Sequence, residues 1–77
     1  MQIIAVKYLK DYKLKVVFSD NEEKTADFEH FLNTAKNPMT KAFLDIKKFK
    51  KVNIDTGFLS WNNGQMEISG QSISDEF

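Results

Sequence analysis

Cysteine is absent from the 77 residues, so neither a disulfide nor a thiolate metal site can support this chain. Arginine is absent as well, and all eleven cations are lysines. That removes the side chain that forks onto guanine and phosphate and leaves flexible point charges in its place. His30 is the single imidazole, which is too few for a His-rich transition-metal site. With three glycines and one proline there is no glycine-rich phosphate loop, and Asn62-Asn63-Gly64 reads as a turn. No apolar run approaches the roughly 18 residues that span a bilayer. Met1 to Ala5 lacks the basic flank and long apolar stretch of a secretory signal, and a cytoplasmic location is expected.

What is present is a foldable chain. Seven Phe, two Tyr and one Trp supply large apolar surfaces. The length, about half that of a typical domain, predicts one domain over residues 1–77. At this size folding buries roughly 60–65 % of the unfolded surface, which leaves a stability of a few kcal/mol.

The net charge is zero, but its distribution is uneven. Lys36, Lys41, Lys47, Lys48, Lys50 and Lys51 face Asp45 alone in the middle of the chain. From Val52 onward Asp55, Glu67, Asp75 and Glu76 occur without a cation.

Ile3, Ile4, Val6, Tyr8 and Leu9 form a β-rich opening run, and Leu14, Val16 and Phe18 alternate with Lys13, Lys15 and Val17. Turns are predicted at Lys10-Asp11 and at Ser19 to Glu22, and Lys24 to Phe28 completes a three-stranded antiparallel meander. The period then changes. Phe28, Phe31, Leu32 and Ala35 fall at helical spacing behind Asp27, a suitable cap. Asn37-Pro38 restarts a helical pattern through Met39, Ala42, Phe43, Ile46 and Phe49, with Asp45 placed to split it. Val52, Ile54, Thr56-Gly57, Leu59 and Trp61 describe a C-terminal β-hairpin, and Met66 to Ile68 a last short strand. The final five or so residues, behind a cap-like Ser72, read as a frayed turn. The predicted class is therefore α+β: an N-terminal meander, one or two short helices and a C-terminal hairpin on one core. Leu14, Val16, Phe18, Phe28, Phe31, Phe43, Leu59 and Trp61 are expected to meet in that core.

Across this frame Tyr8-Leu9, Leu14 to Phe18, Ser19-Asp20, Glu22-Glu23-Lys24, Asp27, Phe43-Leu44, Asp45, Phe49, Val52, Ile54-Asp55, Gly57, Trp61 and Asn63-Gly64 occur in an order and spacing that resembles the bacterial family called domain of unknown function 2442. The resemblance runs from Ile3 to about Ile73. Asn21 departs from it where glycine is usual, as do Asn62 and Gly70 where proline is common, and all three preserve turn chemistry. The family is similar in turn to the N-terminal module of certain bacterial helix-turn-helix proteins. The resemblance implies a partner encoded next door, as in toxin–antitoxin pairs.

No nucleophile elbow, calcium loop or metal-ligand spacing appears, so neither catalysis nor a cofactor or metal is expected. The acidic run Asp20 to Glu29 reads as a solvated hairpin tip, and His30 as a half-exposed structural residue. Lys47, Lys48, Lys50 and Lys51 surround Phe49 at a helix end, where they complement the macrodipole and form the candidate contact with a protein partner. Asn63 joins them. Trp61 is either a core anchor or an exposed hot spot. The preferred expectation is a non-catalytic protein-interaction or regulatory module, in its finer form the neutralising or regulatory member of a bacterial toxin-antitoxin-like gene pair. The alternative is a weak nucleic-acid binder using residues 47–51.

Overall fold

Alternation in the first third of the chain builds a sheet with one wet face. β1 (Ile3–Lys10), β2 (Lys13–Phe18) and β3 (Glu23–Asp27) pair antiparallel in the order β1-β2-β3. Leu14, Val16 and Phe18 of β2 and Ala26 of β3 are buried on the inner face, while the intervening residues face outward. In β1 the register slips between Ile3 and Ala5. The extra residue returns Ile3 to the core face opposite Phe18 and leaves Ile4 54 % exposed. The first turn falls one residue later than expected, at Asp11-Tyr12, because Lys10 still pairs with Lys13, and the second forms where expected: Asp11 and Asn21 take positive φ, and the Asp20 carboxylate accepts the Glu22 amide at 3.1 Å. The computed structural model describes residues 2–62 and 64–77.

The helical segments are short because their caps come close together. α1 (Glu29–Thr34) starts after Asp27, whose carboxylate accepts the Glu29 amide at 3.0 Å. α2 (Pro38–Lys41) starts behind Asn37, whose side chain accepts the Met39 amide at 2.8 Å, with proline in the first turn. A 3-10 turn, Ala42–Leu44, leads to Asp45, which caps α3 (Ile46–Phe49) by accepting the Lys47 amide at 3.0 Å. The expected split at Asp45 is thus present.

β4 (Asn53–Asp55), β5 (Phe58–Trp61) and β6 (Met66–Ile68) form a second antiparallel sheet in sequence order. Thr56 and Gly57 both have positive φ, the pairing a tight two-residue hairpin turn needs. Leu59, Trp61, Met66 and Ile68 face inward. The tail expected to fray is instead α4 (Gly70–Glu76). Ser69, rather than Ser72, supplies its cap by accepting the Ser72 amide at 3.1 Å, and Ile73 is fully buried.

The two sheets and the helices share a single hydrophobic cluster. They are joined at a seam where the Ile3 amide donates to the Gly57 carbonyl at 3.0 Å. Phe31 does not enter this core as expected. Leu32 occupies the inward position of α1, and Phe31 remains 36 % exposed at its margin.

Candidate functional site

The single turn of α3 divides the lysine cluster. Lys47, Lys48, Lys50 and Lys51 are all exposed around a fully buried Phe49. Residues three apart share a side of a helix, so Lys47 and Lys50 form one pair and Lys48 and Lys51 another. The Lys50 ammonium stands 5.5 Å from the centroid of the Tyr8 ring, within reach of a cation–π contact. Lys48 and Lys51 instead border a recess of about 210 Å³ together with Phe43, Asn62 and Gln65.

Trp61 is not part of this surface. It is fully buried, stacks on Phe49 with ring centroids 5.8 Å apart, and donates from Nε1 to the Phe49 carbonyl at 2.9 Å. Its size and its satisfied N–H make it a core anchor, which removes it from the candidate contact residues. Asn63 lies outside the described residues. The side chain of its neighbour Asn62 donates to Gln65 and helps to shape the turn.

A second surface was not anticipated. Phe58 at the start of β5 is 43 % exposed, and with Phe31 of α1 and Phe77 after α4 it lines a groove of about 350 Å³ floored by Ile68. Phe77 stacks on buried Phe28 at 4.5 Å between centroids and meets Phe31 edge-on at 5.5 Å. An aromatic run that starts in the core therefore surfaces here. Glu67 and Glu76 border the groove, and a neighbouring recess of about 220 Å³, sharing Phe31, Glu76 and Phe77, adds Asp27, His30 and Thr34. Among the described residues neither recess has a lysine in its lining. The three phenylalanines are scattered over α1, β5 and the end of α4, so no local spacing brings them together in the sequence.

His30 is exposed on α1, and among the described residues no hydrogen bond joins its ring to a hydroxyl or a carboxylate. Among the described residues no group of three or more His, Cys, Asp or Glu side chains is placed to hold a metal ion. None of their helices is long and apolar enough to cross a membrane.

A family model described as protein of unknown function (DUF2442) matches residues 3–76. The chain belongs to the DUF2442 family. The match covers both sheets and all the helices, and it runs to residue 76, past the Ile73 where the resemblance of the turn and strand residues ended. No curated protein and no solved structure matches this DUF2442 chain.

Proposed function

We propose that this chain is a non-catalytic protein-interaction module, acting in the cytoplasm. The supporting observation is the groove of Phe31, Phe58 and Phe77: large rings left accessible on a domain whose remaining phenylalanines and Trp61 are buried. Exposed aromatic clusters with a polar rim are the usual character of binding surfaces, because a partner gains apolar burial there. The finer reading, a regulatory or neutralising member of a bacterial gene pair, rests on the family resemblance. Co-expression with the product of the adjacent gene tests both. Co-elution that weakens when Phe31 and Phe58 are changed to Ser supports the module, and separate elution at micromolar concentrations counts against it.

A second reading, weak nucleic-acid binding by Lys47, Lys48, Lys50 and Lys51, is supported by the exposure of all four side chains. The absence of arginine and the zero net charge weigh against it.

A further inference from the structure

We propose that the Phe31–Phe58–Phe77 groove receives a lysine- or arginine-rich amphipathic segment of the partner protein, an inference that rests on the interaction reading above. The apolar floor asks for an apolar side chain, since only that gains by leaving water there. The rim decides what must accompany it. Glu67 and Glu76 border the groove and Asp27 the adjoining recess, with no lysine among the described residues of either lining. A wholly apolar occupant would cover these carboxylates without offering them a partner, which is unfavourable. An acidic segment, a nucleic-acid backbone or an anionic lipid surface would meet like charge. A cation beside the apolar residue resolves both problems. It pairs with the carboxylates, and it can also rest over an exposed aromatic face. The groove lies against α1 and α4, two short helices that leave a trough between them and β6, the setting in which an amphipathic helix lays down one face.

The experiment is a titration of the isotope-labelled full chain, followed by amide chemical shifts. The probe is a synthetic helical peptide of roughly 18 residues with one leucine stripe flanked by lysines. Shifts are expected along β5, β6 and α4, with binding weakened at least about tenfold by Glu67→Gln with Glu76→Gln, and again by raising salt from about 50 to about 200 mM. The same peptide with glutamate in place of lysine should leave the groove silent. Phe31→Ser with Phe58→Ser tests the aromatic lining; if that variant fails to fold, the two Gln changes carry the test, because they alter exposed charge alone.

Tight binding that ignores both sets of variants, or shifts confined to Lys48 and Lys51, overturns the groove assignment. Co-elution with the adjacent gene's product that survives the groove variants removes this inference and leaves the interaction reading standing. If neither the peptide nor that product moves a resonance, both fall. Concentration-dependent self-association abolished by Glu67→Lys would make a second copy the occupant and would also overturn the proposal.

Discussion

Trp61 donates its indole N–H to the carbonyl oxygen of Phe49, at 2.9 Å, while the two rings stack. The carbonyl belongs to the last residue of α3, one of the groups a helix end leaves without an internal partner. A side chain of the second sheet thereby completes the helix turn that carries the lysines.

Trp61→Phe keeps an aromatic ring but removes the donor. The orphaned carbonyl and the lost ring volume are expected to cost about 2 to 4 kcal/mol together. Urea unfolding followed by circular dichroism checks this; an unchanged midpoint would show that the indole bond does not support the fold.

Phe28 and Phe31 stand three residues apart and differ sharply in surroundings. Phe28 is fully buried against Phe49, Trp61 and Phe77. Its replacement by Ala is expected to cost about 3 to 5 kcal/mol, enough to unfold most of a domain this small. Phe31→Ala is expected to cost under about 1 kcal/mol. Comparable thermal shifts for the two would contradict the placement of Phe31 at the surface.

Gly57 has φ of +83°, and a Cβ built there would lie 3.0 Å from the Gln2 Cγ. Gly57→Ala therefore adds left-handed strain to a tight contact at the seam, and a loss of about 1 to 2 kcal/mol is expected. For a chain this short that corresponds to a melting temperature lower by roughly 4 to 16 °C. A melting curve superimposable on the wild type would argue against the turn geometry.

The lysines separate protein from nucleic-acid contact. Changing Lys47, Lys48, Lys50 and Lys51 together to Gln is expected to cost at most about 1 to 2 kcal/mol, since all four are exposed. A mobility-shift titration of wild type and variant on duplex DNA, at about 50 and about 200 mM salt, is expected to show no lysine-dependent binding. If the four neutralised phosphates, log Kobs would fall with log salt at a slope near roughly −3.6, and the second reading would replace the first.

Much of the architecture is legible locally. The alternation of Leu14, Val16 and Phe18, and the turn chemistry of Asn21, Asn37-Pro38, Asp45 and Gly57, act over a few residues and could be read as such. Features set by distant neighbours could not. Phe31 has the same helical spacing as Leu32, and what exposes it is the length of α1 and its position at the core margin. Ser69 and Ser72 are both plausible caps; burial of Ile73 selects the earlier start. The groove joins residues of α1, β5 and the chain end, and Trp61's environment depends on α3. The lysine cluster was visible as composition, but its division into two pairs follows from a helix of a single turn.

The seam between the sheets has a further consequence, for the order in which the molecule comes apart. Each strand of the meander meets its neighbour across a short turn, whereas the Ile3–Gly57 hydrogen bond closes a loop that encloses most of the sequence. Closing long loops is entropically harder than closing short ones, and contacts between distant residues form late. β4, whose three residues are all exposed, is thus the part expected to detach while β1 to β3 stay paired, and its amides should exchange with solvent before theirs. Because Phe58 begins β5, a partner held in the groove would clamp the seam shut and slow that exchange from the outside.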